Sequence, residues 1–306
     1  MMTIWCYSPD EGKWGQMLYD ECISRNWDAK LFADFPPAMS WDYAFMRIPQ
    51  WEPGCGKGKR VAQHMKDRGC ILIPDLAACK VYEDKMAQFQ LYGDWMPETH
   101  IIRHPCSMAR LLDDSVDKLG LPFISKGNVA SASVNVRLIR SRAEAIREYE
   151  NVFCKDGIPM RAGGRILKQK GYLIWQKFLA GNKCDYRVCI NGEYLNILKR
   201  GIRSPDEPFA SGSGETMPVN RLGRKEYSLL AWSERFFHQH KLTWAGIDVV
   251  WDYELEQWSV LETTLGWSFK AYEDCVYFSG LEPTEYTGKD MFKVICEGII
   301  TRSFMK

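Results

Sequence analysis

The chain has 306 residues, a formal net charge of +1 and 46% hydrophobic residues, enough for two or three packed units around a sizeable core. So balanced a charge speaks against general binding along a phosphate backbone, although local basic patches remain open, and nucleic acid is not indicated as a partner. No uninterrupted apolar run approaches the ~18 residues of a membrane span, so no membrane association is expected. The start, Met-Met-Thr-Ile-Trp-Cys, lacks a basic segment followed by a long apolar stretch, which argues against secretion. The eleven cysteines are scattered, with no C-x-x-C pair; Cys184 and Cys189 come nearest. They read as reduced thiols of a cytoplasmic protein, not as a disulfide framework or a zinc site.

In chain order, Thr3 to Tyr7 is a short apolar strand. Ser8-Pro9-Asp10-Glu11 then offers an N-cap, a proline at the first helical position and an acid in the first turn, predicting a helix to about Asn26. Ala29 to Ala33 and Tyr43 to Ile48 read as strands, Val61 to Arg68 as a helix ended by Gly69, and Cys70 to Pro74 as a further strand. This βαβαβ rhythm predicts a small, mostly parallel sheet with helices on its faces. Gly54-Cys-Gly-Lys-Gly-Lys59 is phosphate-like in composition but lacks the spacing and the Ser/Thr of a Walker loop. The tryptophans of the first third (Trp5, Trp14, Trp27, Trp41, Trp51 and Trp95) suit a core or an interface, with an acceptor cleft as the alternative.

A helix is predicted over Leu76 to Tyr92, then an extended Met96 to Ile102, then a helix from Ser107 through Leu119. Leu121 to Lys126 and Val134 to Ile139 read as paired strands, joined by a loop of small residues over 127–133. Small side chains let backbone N–H groups approach phosphate oxygens, and Lys126 beside them adds positive charge. Ser131 and Ser133 can donate further hydrogen bonds; the plain alternative is a surface hairpin with an incidental lysine. Ser141 with Glu144 is a capping box opening a helix to about Phe153.

Three strands follow: Tyr172 to Leu179, Asp185 to Ile190, and Glu193 to Arg200. The last two are joined by an Asn191-Gly192 turn. Asp185 and Arg187 are two apart and share a face, with Arg200 on the next strand. An acid can hold ribose hydroxyls and an arginine a carboxylate or phosphate; an Asp–Arg surface pair is the alternative. Ser204 to Pro218 is rich in Gly, Ser and Pro and reads as a loop. Leu222 to Lys241 reads as a long helix, in which His238 and His240 do not share a face and so form no metal pair. A terminal helix is expected near Lys289.

Thr243 to Gly266 carries two apolar runs joined by a polar turn, a hairpin pattern. Centred near Leu255, it sets Asp248 and Glu262 opposite each other, with Thr264 beside Glu262. Like charges facing across a ladder destabilise it, so a cation such as Mg²⁺ between them would account for the pair. The alternatives are acids on opposite faces, or one solvated and one paired to arginine.

Taken in order, these pieces resemble the ATP-grasp superfamily, especially its ribosomal-protein-glutamylating and glutathione-synthetase-like carboxylate–amine ligases. Glu83-Asp-Lys-Met86 followed by Met96-Pro-Glu-Thr99 resembles the opening of the grasp module. Phe123-Ile-Ser-Lys126 with its loop resembles the phosphate loop, and Gln176-Lys-Phe-Leu179 the hinge. Asp185-Tyr-Arg187 and Lys199-Arg200 resemble the D-x-R strand and the arginine after it. Gly246-Ile-Asp-Val and Leu261-Glu-Thr-Thr resemble the metal hairpin. The resemblance covers about residues 75–270.

It implies an α/β chain with an ATP-grasp fold, an α+β sandwich behind a Rossmann-like N-terminal domain. The domains would be 1–75, 76–180 (the central subdomain) and 181–306 (the C-terminal subdomain with the metal site). ATP would lie between two sheets, its phosphates on Lys85, Lys126, Ser131 and Ser133. Its adenine would sit on the backbone around Gln176, Lys177, Phe178 and Leu179, and its ribose on Asp185. Mg²⁺ or Mn²⁺ would be held by Asp248, Glu262 and Thr264. Arg200, with Arg187 and Arg203, would stabilise the charge of an acyl phosphate, and the 204–218 loop would close over it.

The implied reaction activates a small-molecule or peptide carboxylate for attack by an amine. The alternatives are a phosphotransferase and a nucleotide-binding regulatory protein without turnover; a homo-oligomer is left open. Three positions depart from the family pattern. Thr264 stands where Asn is usual, Ala130-Ser131-Ala132 where glycines are common, and Lys177 where the hinge has an acid.

Overall fold

The computed structural model of the chain describes residues 2–9, 13–38, 41–50, 54–128, 135–162, 165–202 and 215–301. The N-terminal segment runs β1 (Ile4–Tyr7), α1 (Lys13–Ser24), β2 (Ala29–Phe32), β3 (Tyr43–Met46), α2 (Gly54–Asp67) and β4 (Ile71–Ile73). Its strands pair in parallel in the order β2-β1-β3-β4. All four residues of β1, and all four of β3, are buried, as expected where helices cover both faces of a parallel sheet. Trp5, Tyr7, Ala44 and Met46 pack towards Val61, Ala62 and Met65 of α2. Ile4, Cys6, Tyr43 and Phe45 pack towards Leu18 and Cys22 of α1. The glycine-rich run at 54–59 is therefore the opening of α2, not a phosphate loop.

The predicted helix from Leu76 is two helices, α3 (Leu76–Val81) and α4 (Lys85–Tyr92). Glu83 breaks it with φ of 55°, a left-handed conformation uncommon outside glycine. Asp84 then caps α4 by accepting from the Ala87 N–H at 3.0 Å. Next come β5 (Thr99–Ile102), α5 (Met108–Leu111), a π-helical turn over Leu112–Val116, and α6 (Asp117–Leu119). They are followed by β6 (Phe123–Lys126), β7 (Val136–Ile139) and α7 (Arg142–Phe153).

A hairpin that the sequence reading did not contain follows, β8 (Ile158–Ala162) and β9 (Arg165–Gln169), and then β10 (Leu173–Lys177). The second sheet has the order β5-β10-β6-β7 and is antiparallel. Phe123, Leu173 and Trp175 pack under α7 and the 111–119 turns. The opposite face, with Ile124, Lys126 and Gln176, is left towards a cleft.

The C-terminal half contains β11 (Cys184–Asn191), β12 (Tyr194–Gly201), β13 (Thr216–Pro218), α8 (Arg224–Gln239), β14 (Trp244–Asp252) and β15 (Gln257–Thr264). It ends with α9 (Phe269–Tyr272), β16 (Val276–Ser279), β17 (Glu282–Thr287) and α10 (Met291–Ile300). The order is β15-β14-β11-β12-β16-β17, with β13 on β12. The predicted 204–218 loop is thus a strand at its end, where Met217 pairs with Lys199; residues 203–214 lie outside the described residues. The β11–β12 turn is Gly192-Glu193, flanked by the Asn191–Tyr194 pair, one residue later than expected. Tyr186, Val188, Ile197, Ile247 and Val249 bury against Leu229, Phe236 and Phe237 of α8. Alternation turns Asp185, Arg187, Asp248 and Glu262 to the other face.

Candidate functional site

Between the second and third sheets lies a cleft with apolar walls and a few convergent charged groups, the usual make-up of a small-molecule site. Lys85, Lys126, Gln176, Lys177, Phe178, Leu179, Asp185, Asp248 and Glu262 line it, so nine of the sequence-derived candidates converge on one space. Ile124, Val136, Ile202, Val250 and Leu261 supply apolar walls. Ser131, Ser133 and Arg203 lie outside the described residues.

Asp248 and Glu262 are directly paired across β14 and β15, as the hairpin arithmetic predicts. Immediately beyond this pair Val249 faces Val260, leaving Leu261 as the extra residue of a bulge. Bulges free backbone groups from the ladder, and the Leu261 carbonyl accepts from Lys126 Nζ at 3.1 Å. Burial, and to a lesser extent Lys85, lowers the Lys126 ammonium to about 8. Lys85 Nζ lies 3.2 Å from Glu262 Oε1. Gly127, at the end of β6, makes a close approach: a Cβ there would meet Met160 Sδ at 2.7 Å and Asn135 Cβ at 3.0 Å.

Arg187 and Arg200 do not line the cleft; they stand in the row behind it. Arg187 Nε donates to Asp248 Oδ1 and its Nη2 to Oδ2 at 2.7 Å. Burial would push the Asp248 carboxyl up, but Arg187 and Arg200 outweigh it and hold the group well below the usual carboxylate range. Asp185, expected at a ribose, gives both oxygens to Arg200 at 2.9 and 2.6 Å. Thr264 is away from the cleft; its hydroxyl donates to the Gly266 carbonyl at 2.8 Å and accepts from the Gly266 N–H at 3.3 Å.

The hinge is held from both sides. Gln176 Nε2 donates to Thr99 Oγ1 at 2.9 Å, and the Lys177 N–H donates to the Glu98 carbonyl at 2.8 Å. The Lys177 side chain turns out to Glu254 on the hairpin tip.

Asn182, which sequence reasoning missed, lines the cleft and joins its two sides. Its amide donates to the Leu179 and Trp251 carbonyls at 3.2 and 2.8 Å and accepts from the Trp251 N–H at 3.2 Å. The Gly181-Asn182 turn signal was its available marker. Glu83 was also passed over as a site residue. It is buried, with Oε1 accepting from Gln50 at 3.3 Å and Oε2 without a hydrogen-bond partner among the described residues. Burial first, then the Glu262 charge, raises its carboxyl to about 7.

For a divalent cation the donor set is uneven. Glu262 offers a carboxylate at the cleft, the hard oxygen that Mg²⁺ takes alongside substrate phosphates. Both Asp248 oxygens are engaged by arginine and Thr264 is turned into its own backbone. The residues present therefore fit a cation at Glu262.

No protein-family model matches the chain, and no curated protein matches its sequence. Solved structures do. D-alanine–D-alanine ligase from Bacillus anthracis is similar with a TM-score of 0.61 at 14% identity, over 100% of this chain and 98% of that one. D-cycloserine synthetase DcsG gives 0.62 at 14% identity, over 98% and 99%. The ATP-grasp ligase PsnB, complexed with minimal precursor, Mg and ADP, gives 0.57 at 12% identity, over 97% and 98%. Likeness that spans nearly the whole of each chain, together with facing sheets around a cleft, identifies the architecture: this chain has the ATP-grasp fold.

Proposed function

We propose that the protein is an ATP-dependent carboxylate–amine ligase, forming an amide or peptide bond through an acyl phosphate. The observation that carries this reading is the cleft itself. It sets Lys85 and Lys126 on one side against Asp248 and Glu262 on the other, with the hinge backbone between them. Similar architecture in D-alanine–D-alanine ligase, D-cycloserine synthetase and PsnB supports the reaction class. The same reading puts functional boundaries near residues 75 and 180.

In this reading the adenine lies against the 177–179 backbone between Val136, Ile202 and Leu261, and the phosphates reach towards Lys85 and Lys126. A carboxylate oxygen attacks the γ-phosphorus and ADP leaves. The amine then attacks the acyl carbon; the C–N bond forms, the C–O bond to phosphate breaks, and the departing phosphate carries off the amine proton. The two lysines neutralise charge on the transferring group, the main demand of phosphoryl transfer. A Mg²⁺ on the nucleotide would be held by Glu262 and would neutralise further phosphate charge. Arg187 and Arg200 set the positive potential behind the phosphates, and apolar walls keep water from the acyl phosphate.

A single turnover with Mg·ATP, a carboxylate panel and hydroxylamine tests the proposal. A ligase yields a hydroxamate, a phosphotransferase a stable phosphoester, and a regulatory protein neither. The last reading draws on Thr264, whose hydroxyl closes a local turn and gives nothing to the cleft.

A further inference from the structure

Asp248 is gripped more completely than a metal ligand should be. Besides the two bonds from Arg187, its Oδ2 takes Arg200 Nη2 at 2.8 Å, and Arg200 is itself anchored through both oxygens of Asp185. Strand register builds this row. Arg187 is the cross-strand partner of Asp248 on β11 and β14, and Asp185 that of Arg200 on β11 and β12. Partners set opposite each other by the ladder are held by the backbone and not only by side-chain rotation.

Burial fixes the arrangement further, since Asp185, Arg200 and Asp248 are 7%, 6% and 9% exposed. Drawing Asp248 onto a cation would leave the Arg187 fork without its carboxylate, in surroundings where an unpaired charge is costly. The Thr264 hydroxyl, the other oxygen on this face, is committed to Gly266.

We infer that Asp248 anchors Arg187 and Arg200 and is not a metal ligand. The nucleotide in this cleft then carries a single divalent cation, on Glu262, while Asp248 stays within the arginine row behind the cleft. The inference rests on the reading of the cleft as a nucleotide site. Mg²⁺ needs no more protein here, since one carboxylate with substrate phosphates and waters completes its shell.

The test counts metal. The full chain is saturated with a non-hydrolysable ATP analogue and titrated with Mn²⁺, with bound ion read from loss of the free-ion paramagnetic resonance signal. One Mn²⁺ per bound nucleotide is expected. Asp248→Asn should leave that count at one while nucleotide affinity falls, because the arginines lose their anchor. Glu262→Gln should weaken Mn²⁺ by more than about tenfold. Two Mn²⁺ ions per bound nucleotide would overturn the inference and leave the nucleotide reading intact. Failure of the wild-type chain to bind the analogue would overturn that reading, and the inference with it. Mn²⁺ affinity that falls more than about tenfold in folded Asp248→Asn at matched nucleotide occupancy would also overturn the inference; if that variant does not fold, a wild-type count of two still does.

Discussion

Gln88 and Thr263 exchange two hydrogen bonds: the Gln88 amide donates to the Thr263 carbonyl and accepts from its N–H, each at 3.0 Å. Gln88 is three residues after Lys85 and on the same face of α4. The clamp therefore places Lys85 against Glu262, one residue before Thr263. Gln88→Leu would leave two buried backbone groups unpaired, a loss of about 2–4 kcal/mol. Denaturant unfolding should show that loss, and ATP affinity should fall with it because Lys85 is no longer positioned. Unchanged stability would mean that the clamp holds nothing.

Arg200 pairs with both Asp185 and Asp248, and in the proposed reaction it would also act electrostatically. Removing one partner from a buried pair commonly costs about 3–5 kcal/mol. We expect Arg200→Met to melt earlier and also to lose roughly 10²–10³ in product formation per folded molecule. Nucleotide affinity should change by much less. A variant that melts earlier but keeps full activity per folded molecule would leave Arg200 as support alone.

The site was legible where its chemistry is local. Asp248 and Glu262 could be set opposite each other because a short polar turn joins their strands, and Lys126, singled out beside its small-residue loop, does line the cleft. The arginine row was not legible in the same way. Arg187 meets Asp248 only because β11 lies between β12 and β14, an order that no spacing within 184–264 dictates. The β8–β9 hairpin was missed because Pro159 sits in its first strand and demotes the pattern, although Gly163-Gly164 is a turn signal. The break at Glu83 was hidden within an apolar helical pattern, where only Asp84 marked a second start.

Lys126 gives the site a pH signature. Its ammonium is lowered to about 8 by burial, so the charged form that attracts phosphate prevails below that pH and is lost above it. ATP affinity should fall as pH rises past about 8, while adenosine affinity stays level. Lys126→Ala should lack this limb and weaken ATP more than adenosine. Equal weakening of both ligands would remove Lys126 from the phosphate site.

Glu83 predicts the opposite kind of effect, on stability. Its carboxyl is raised by burial and by Glu262 to about 7, above its value in the unfolded chain. The native state therefore holds the proton longer, and stability is lost as pH rises from about 4.5 to about 7. Glu83→Gln keeps the shape without the charge. Its melting temperature should exceed wild type at pH 8, by an amount equivalent to about 3 kcal/mol, and match it near pH 4.5. Equal melting at both pH values would show that the carboxylate is not strained by its burial.

The central claim is that ATP phosphorylates a carboxylate in the cleft between the two sheets. Positional isotope exchange tests it without an amine. ATP carrying ¹⁸O in the β–γ bridge is incubated with enzyme, Mg²⁺ and a carboxylate that stabilises the protein, and the label is followed by ³¹P resonance. Reversible acyl-phosphate formation predicts that the label moves to non-bridging β positions only when the carboxylate is present. Bound ATP and carboxylate with no movement of label, and no hydroxamate when hydroxylamine is added, would contradict the account.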